Sequence, residues 1–316
     1  MDSSPSHATR PVIVLLSTYD GARFLDAQLE SLVDQSHRSW SLIWRDDGSS
    51  DDSRHRVRAF VDAARIDATD RTDGRHLGIT ASFWALLCHA AARAEAEGAI
   101  VAFADQDDVW LADKLARAVA ALGEVDPDVP ALYCARQRLV DAQLRDLGLS
   151  PDYGDLPGFP DALTQNVATG CTVALNPAAV ALLRRTRPPL GTLHDWWAYL
   201  IVTAAGGRMV VDPEPVVLYR QHPDNAVGAP SSWLRRAIAA LRRGPGAFMT
   251  TFRVHVEALV AHRALLDASS GRIVMRLSRS LRRGRLSRIL TLARRPRLRR
   301  RTRSETLLFR LWFVLG

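Results

Sequence analysis

Residues 99–110 have the sequence AIVAFADQDDVW, in which six apolar residues are followed directly by three carboxylates within four positions. A short apolar run with polar ends is typical of a strand buried in a parallel sheet. Ligands bind such sheets beyond the carboxyl ends of the strands. Asp105, Asp107 and Asp108 would repel one another there, and an oxygen-rich cluster of this kind suits Mg²⁺ or Mn²⁺. The alternative is a solvated acidic turn that caps the next helix.

Strands and helices alternate on both sides of this stretch, which predicts an α/β fold with a mostly parallel sheet covered on both faces. The strands are predicted at residues 11–17, 39–44, 99–104, 131–135, 171–175, 208–211 and 216–220. The helices are predicted at residues 22–35, 51–64, 80–97, 111–122, 177–185 and 195–205. Prolines and glycines predict a loop-rich interval at 139–167.

A second acidic motif, RDDGSS at residues 45–50, follows the predicted strand at 39–44. Asp46 and Asp47 are therefore positioned to accept hydrogen bonds from a nucleotide base or ribose. A helix N-cap or a turn is the alternative interpretation of this motif.

Two later motifs carry titratable groups. In HDWW at 194–197, the neighbouring His194 and indoles would partly desolvate Asp195, which raises its proton affinity toward that of a useful base. In YRQH at 219–222, Arg220 and His222 follow a strand, where they could meet phosphate or metal. A helix N-cap with core aromatics, and a purely structural Arg–His pair, are the respective alternatives.

The order of the motifs is more specific than any one of them. Along the chain they are STYD at 17–20, DDGS at 46–49, HLG at 76–78, DQDD at 105–108, TGC at 169–171, HDWW at 194–197 and YRQH at 219–222. In this order they resemble the family 2 inverting glycosyltransferases, which have the Rossmann-like GT-A fold. DQDDVW and HDWW are most similar to the bacterial rhamnosyltransferase-like branch. The resemblance covers about residues 11–228.

The resemblance implies a role for individual residues. Asp195 matches the catalytic base, and Asp107 and His222 match the residues that hold Mg²⁺ or Mn²⁺. The positions that match nucleotide-sugar binding are Ser17, Thr18, Tyr19, Asp46, Asp47, Asp105 and Arg220. The positions that match the acceptor and donor pocket are Gly170, Cys171, His194, Trp196 and Trp197. Asp20 and His76 stand where the family often has Asn, and an Asp20 carboxylate that faced a diphosphate would be repulsive.

The implied reaction is an inverting transfer of a sugar from a nucleotide-diphosphate donor to a hydroxyl group of a lipid-linked or cell-surface glycan. By family likeness the leading donor is dTDP-rhamnose. Two other interpretations remain open. A sugar nucleotidyltransferase would need a Gly-rich basic loop after the first strand, and residues 17–22 do not supply one. A non-catalytic membrane- or nucleic-acid-binding protein with a basic tail would not account for the ordered acids.

Charge is distributed unevenly along the chain. The net charge is +8, but residues 231–316 contain 21 Arg and three acidic residues, so that segment carries +18 and the first 230 residues carry −10. We expect a disordered tail at 1–10, a catalytic domain at 11–228 and a basic amphipathic helical extension at 229–316. Arginines interleaved with aliphatic residues suit an anionic membrane surface. A solvated basic extension is the alternative, and nucleic-acid binding is not expected.

The sequence also indicates a compartment. There is no apolar stretch near the roughly 20 residues that a bilayer needs and no signal-peptide pattern at the start. Three cysteines without metal-type spacing predict reduced thiols. We therefore expect a cytoplasmic protein that associates with the inner face of the cell membrane.

Overall fold

The computed structural model describes residues 10–152, 158–222, 233–294 and 297–316, and within residues 233–247 the side chain of residue 246 alone. The predicted tail at 1–10, apart from Arg10, lies outside the described residues. So does the predicted domain boundary at 228–229.

The strands and helices follow the predicted alternation. In the described residues the strands are β1 (Val12–Thr18), β2 (Trp40–Asp46), β3 (Ala68–Asp70), β4 (Ile100–Ala104), β5 (Val109–Trp110), β6 (Ala131–Val140), β7 (Asp146–Leu149), β8 (Ala174–Leu175) and β9 (Arg208–Arg220). The helices are α1 (Ala22–Val33), α2 (Ser53–Ala64), α3 (Ile79–Glu97), α4 (Lys114–Gly123), α5 (Pro177–Leu183), α6 (His194–Ala204), α7 (Trp233–Ala261), α8 (Ala268–Arg283), α9 (Arg285–Arg294) and α10 (Arg303–Leu315).

All the strands belong to one sheet with the order β3-β2-β1-β4-β8-β6-β9-β5, and β7 pairs with β6. The first four strands are parallel to one another, and the other half is mixed, with β8 antiparallel to both of its neighbours. The predicted α/β class is confirmed. The strands predicted at 208–211 and 216–220 are a single strand. Pro213 and Pro215 lack a backbone N–H, and the register against β6 shifts there without ending the pairing.

Both faces of the sheet are covered by helices, which accounts for the continuous apolar strands. Ile13 and Leu15 of β1 face a core formed with α3, α5 and α6, while Val12, Val14 and Leu16 face a core formed with α1, α2 and α4. The three cysteines are free thiols, as predicted.

The basic extension is helical in its described residues, and part of it is buried against the α/β body. Phe252 of α7 lies in the same core as α6, and it contacts Phe309 and Phe313 of α10 at ring-centroid distances of 5.6 and 5.7 Å. Met249, Val256 and Leu259 are buried on the same side of α7. Among the described helices, none is long and apolar enough to cross a membrane.

The parallel half of the sheet fixes where the polar motifs meet. Thr18 is paired with Asp46, and Leu16 is paired with Ala104, so β1, β2 and β4 end at one edge. The loops that follow these strands contain the STYD, DDGS and DQDD motifs.

Candidate active site

Gln106 ties the loop after β1 to the loop after β4. Its Oε1 accepts a hydrogen bond from the Tyr19 amide at 2.7 Å, and its Nε2 donates to the Tyr19 carbonyl at 2.9 Å. A Cβ atom on Gly21 would lie only 2.4 Å from the Gln106 amide group, so glycine makes room for this pairing. No local sequence pattern marks Gln106, because an amide between two carboxylates carries no signal for a partner 87 positions away.

Asp46 is buried and organises the turn that follows β2. Its carboxylate accepts hydrogen bonds from the Thr18 hydroxyl at 3.1 Å, the Gly48 amide at 3.1 Å and the Ser49 amide at 2.9 Å. Two more hydrogen bonds hold this region together. The Ser17 hydroxyl donates to the Ser82 hydroxyl at 2.8 Å, and the Asp46 amide donates to the Thr72 hydroxyl at 3.0 Å. The Asp46 side chain therefore stabilises a turn, which is the alternative interpretation of this motif.

Asp47 is buried in a second network. Its carboxylate accepts from the amides of Leu77 and Gly78 at 2.8 and 2.7 Å, and it pairs with the buried guanidinium of Arg45. Arg45 also donates to Asp73 at 2.7 Å. The carboxylate thus holds the loop before α3 against the end of β2.

Exposed rings lie beside these two buried acids. The rings of Tyr19 and His76 are 4.6 Å apart, and Nδ1 of His76 lies 2.9 Å from the Asp47 carbonyl oxygen. Both side chains are exposed, so they offer ring faces that a nucleobase could contact.

Asp20 is bound to the loop that follows β2. Its backbone is left-handed, with φ of 46°, and its Oδ1 accepts from the Ser50 amide at 2.7 Å and the Ser50 hydroxyl at 3.1 Å. The Asp20 amide donates to the Ser49 hydroxyl at 3.0 Å. The expected repulsion is avoided because this carboxylate is bound to the loop after β2.

The three carboxylates of the DQDD motif lie in different surroundings. Asp108 is fully buried, and its Oδ1 accepts from the Arg220 amide at 3.0 Å, while its Oδ2 has no hydrogen-bond partner among the described residues. Burial and the charge of Asp107 raise the pKa of Asp108 well above its usual range. Burial and the charges of Asp107 and Asp195 raise the pKa of Asp105 to about 7.

A buried lysine lies among these acids. Lys114, at the start of α4, interacts with Asp105, Asp108 and Cys171, and its Nζ lies 2.9 Å from the centroid of the Trp110 ring. Burial lowers the pKa of Lys114 well below its usual range. Asp105, Asp108 and Cys171 bring ligand atoms within 4.8 Å of one another. The Cys171 thiol forms a hydrogen bond with Asp108, and burial raises the pKa of this thiol well above its usual range.

Asp107 is the more accessible carboxylate and pairs with the late motif. Nε2 of His222 lies 2.9 Å from Oδ2 of Asp107, and the Asp107 side chain is 19% exposed. Arg220 is buried: its Nε donates to the Asp107 carbonyl at 2.8 Å, and its guanidinium lies 4.6 Å from the Phe24 ring centroid. Arg220 therefore fixes the backbone of the acidic loop.

Asp195 lies in the first turn of α6 and is almost fully buried. Its carboxylate accepts from the Gly170 amide at 2.9 Å, from the Trp196 amide at 2.5 Å and from the Asn166 side chain. Burial raises the pKa of Asp195 to about 6, although these hydrogen bonds oppose the shift. The charge of Asp195 also acts on Asp105, so the two acids lie within electrostatic reach of each other.

The other residues of the TGC and HDWW motifs surround Asp195 from the core side. His194 stacks on Phe83 at 4.1 Å, and burial lowers its pKa to about 3, so the ring is neutral. Trp197 is fully buried and donates to the Thr186 hydroxyl at 3.0 Å. Trp196 is partly exposed and donates to the Ala162 carbonyl at 2.8 Å. Gly170 and Cys171 are buried. Of the five predicted pocket residues, Trp196 presents the most accessible side chain.

The predicted residues after β1, β2 and β4 lie at one edge of the sheet, whereas Gly170, Cys171, His194 and Trp197 are buried. A chain of contacts runs from Asp47 through His76 and Tyr19 to Gln106, and electrostatic contacts run from Asp105 to Asp107 and Asp195. This region contains the exposed rings of Tyr19 and His76, the Asp107–His222 pair and the buried Asp195, whose pKa is raised.

Comparison with known proteins indicates a glycosyltransferase. Residues 13–143 match the family model described as Glycosyl transferase family 2. The chain is 24% identical to the dTDP-rhamnosyl transferase RfbG of Shigella flexneri over 228 residues, which is 68% of this chain and 74% of that protein.

Two solved structures share the fold. S. aureus TarS 1-349 in complex with UDP-GlcNAc has a TM-score of 0.60 at 14% identity, over 91% of this chain and 78% of that one. The mannosyltransferase PcManGT from Pyrobaculum calidifontis, in complex with GDP-Man and Mn²⁺, has a TM-score of 0.50 at 20% identity, over 99% of this chain and 88% of that one.

The sheet, its acidic edge and these likenesses define a glycosyltransferase with the GT-A fold. Residues 13–143 match glycosyl transferase family 2, the family that the order of the motifs resembles. The family match favours this class over the nucleotidyltransferase and the non-catalytic scaffold.

The Arg45–Asp47 network yields a stability prediction. We expect Arg45→Met to lower the free energy of unfolding by about 3 kcal/mol, because it leaves the buried Asp47 carboxylate without its cation. Arg58→Met is the matched control, since the half-exposed Arg58 pairs with Asp70 at 2.9 Å and its loss should cost less than about 1 kcal/mol. Urea denaturation measures both, and equal losses in the two variants would contradict this interpretation.

Proposed function

We propose that the protein transfers a sugar from a nucleotide-diphosphate donor, with dTDP-rhamnose as the leading donor, to a hydroxyl group of a lipid-linked or cell-surface glycan. The observation that carries the proposal is the buried Asp195 carboxylate, whose pKa is raised to about 6 and which lies within electrostatic reach of Asp105. The likeness to a dTDP-rhamnosyl transferase over 68% of the chain supports the choice of donor.

In this mechanism Asp195 accepts the proton of the acceptor hydroxyl as that oxygen attacks the anomeric carbon. The bond to the diphosphate breaks on the opposite face, so a single displacement inverts the anomeric configuration. The amides of Gly170 and Trp196 hold both carboxylate oxygens, which fixes the orientation of the base. A pKa near 6 leaves the group ionised at neutral pH and still basic enough to take a proton.

The residues at the acidic edge fit a hard divalent cation. Asp107 and His222 present an oxygen and a nitrogen on the accessible side, and Asp108 keeps a buried Oδ2 with no hydrogen-bond partner among the described residues. When bound, Mg²⁺ or Mn²⁺ would offset the charge that develops on the departing diphosphate. Asp105 lies beside this pair, on the side where the donor ribose is expected, and Tyr19 and His76 offer ring faces to the base.

We expect Asp195→Asn to reduce turnover of dTDP-rhamnose by at least ~10²-fold while donor affinity stays within about twofold, because general-base help contributes ~10²–10⁴ in rate. Release of dTDP with water as the acceptor measures turnover, and calorimetric titration measures donor affinity. In the wild-type protein kcat should fall as the pH drops through about 6, because protonation removes the base. Wild-type turnover in Asp195→Asn would remove the carboxylate from this role.

A separate prediction concerns the divalent cation. We expect chelation to abolish dTDP release and Mn²⁺ to restore it, and we expect Asp107→Asn to weaken Mn²⁺ binding in the presence of dTDP by about tenfold or more. Asp128→Asn is the control, because Asp128 is an exposed carboxylate in the loop before β6. A chelator-resistant protein, or an Asp107→Asn variant with unchanged Mn²⁺ affinity, would contradict the assignment.

We further propose that the extension binds an anionic membrane surface through one face of α9 and α10. This lipid-facing patch consists of Leu286, Ile289, Leu290, Leu307, Leu311 and Leu315, all of which are exposed. Exposed arginines flank it, among them Arg285, Arg294 and Arg303. Each arginine near an anionic lipid surface contributes roughly 1 kcal/mol, and exposed leucines add apolar burial. The patch supports peripheral association with the cytoplasmic face of the cell membrane.

Point substitutions test this proposal better than truncation, because α7 and α10 contribute to the core. We expect the wild-type chain to float with vesicles that contain phosphatidylglycerol and the variant Leu307→Glu with Leu311→Glu to stay in the dense fraction. Leu190→Glu is the control, since Leu190 is 98% exposed and lies on the catalytic body. Equal flotation of all three proteins, or no flotation of the wild type, would refute the lipid-facing patch.

A further inference from the structure

The segment at residues 299–301, between α9 and α10, lies along a strap formed by residues 161–170. Asp161 at the start of the strap is buried, and its carboxylate accepts from the Arg299 amide at 2.7 Å and from the Arg299 guanidinium at 3.0 Å. Arg300 donates to the Thr164 carbonyl, and the Arg301 amide donates to Oε1 of Gln165 at 3.1 Å. The Thr164 hydroxyl donates to the Arg299 carbonyl.

The other end of the strap holds Asp195. Asn166, one position after Gln165, donates from its side chain to the Asp195 carboxylate, and the Gly170 amide donates to the same group at 2.9 Å. A third connection runs from the Trp196 indole to the Ala162 carbonyl at 2.8 Å. Two of the groups that orient Asp195 therefore belong to the strap, and a third contact joins the strap to the residue beside Asp195.

The extension supports α6 from a second side. His255 of α7 is fully buried, its Nε2 lies 2.9 Å from the Thr192 hydroxyl, and its ring meets the Trp196 ring edge-on at 4.6 Å. Thr192 comes two positions before α6 begins. The polar contacts of the extension are thus concentrated on the elements that carry Asp195.

The contact between Arg299 and Asp161 is separable from core packing. The Arg299 side chain is 49% exposed, and Leu298 beside it supplies the buried apolar anchor of the segment. Small displacements of a reacting group reduce rates steeply, because catalysis depends on near-attack geometry. An exposed arginine that fixes the strap can therefore affect the rate without being needed for folding.

We propose that Arg299 is a positioning residue for the reaction: through Asp161 and the strap at 161–170, it holds Asp195 in the orientation that takes the acceptor proton. The inference rests on the proposed function, in which Asp195 is the base. It gives the basic extension a catalytic task that is separate from its proposed membrane contact.

The test compares Arg299→Ala, Arg299→Lys and the control Arg279→Ala, which removes an exposed positive charge of α8. With dTDP-rhamnose, Mn²⁺ and water as the acceptor, we expect Arg299→Ala to reduce kcat at least fivefold, with donor affinity within twofold and the protein still folded at the assay temperature by circular dichroism. Arg299→Lys should recover at least half of the lost kcat, and Arg279→Ala should match the wild type.

A double variant identifies the route of the effect. If Arg299 acts through Asp195, then Arg299→Ala should cause no further loss of kcat in the Asp195→Asn background. A kcat within twofold of wild type in Arg299→Ala, a parallel loss of donor affinity, or an equal loss in both backgrounds would overturn the inference and leave the base assignment intact. Wild-type turnover in Asp195→Asn would instead overturn the base assignment, and the inference with it.

Discussion

Carboxylates crowded at the end of a buried strand are the constraint on which the rest of this structure depends. Asp105, Asp107 and Asp108 lie within four positions, and burial together with their mutual repulsion raises the pKa of Asp105 and of Asp108. Three side chains contact these acids. Lys114 interacts with Asp105 and Asp108, the Cys171 thiol forms a hydrogen bond with Asp108, and the His222 imidazole contacts Asp107. Such a cluster of carboxylates would be stabilised by a divalent cation.

Much of the fold could be predicted, because a doubly covered parallel sheet leaves a direct mark on the sequence. The runs at 11–16 and 99–104 are apolar at every position because both faces of these strands are buried, and the structure has strands there at Val12–Thr18 and Ile100–Ala104. The antiparallel strand β8 is harder to predict from the sequence because only two of its residues pair with each neighbouring strand. The continuity of β9 was missed because Pro213 and Pro215 suggest a break, whereas its pairing with β6 continues beyond them.

The site was predictable to the extent that its residues carry charge. The acidic residues could be predicted because several carboxylate motifs in a fixed order are easy to recognise. Several of their hydrogen-bond partners could not be predicted. Gln106, Asn166 and Asp161 act through hydrogen bonds to residues far away in the sequence, and no local pattern marks such pairs. The net charge distinguishes the extension from the rest of the chain. A charge summed over 86 residues does not reveal that Phe252, Phe309 and Phe313 pack together. The extension shares its core with the domain that it supports.

The central claim is that the acidic edge binds a divalent cation beside the donor diphosphate. Anomalous diffraction from crystals grown with Mn²⁺ and dTDP tests it most directly. The account predicts one strong anomalous peak about 2.0–2.3 Å from a carboxylate oxygen of Asp107 and from a ring nitrogen of His222, with the dTDP phosphates on its open side. A peak at another acidic position, or dTDP bound at this edge without any anomalous peak, would contradict it.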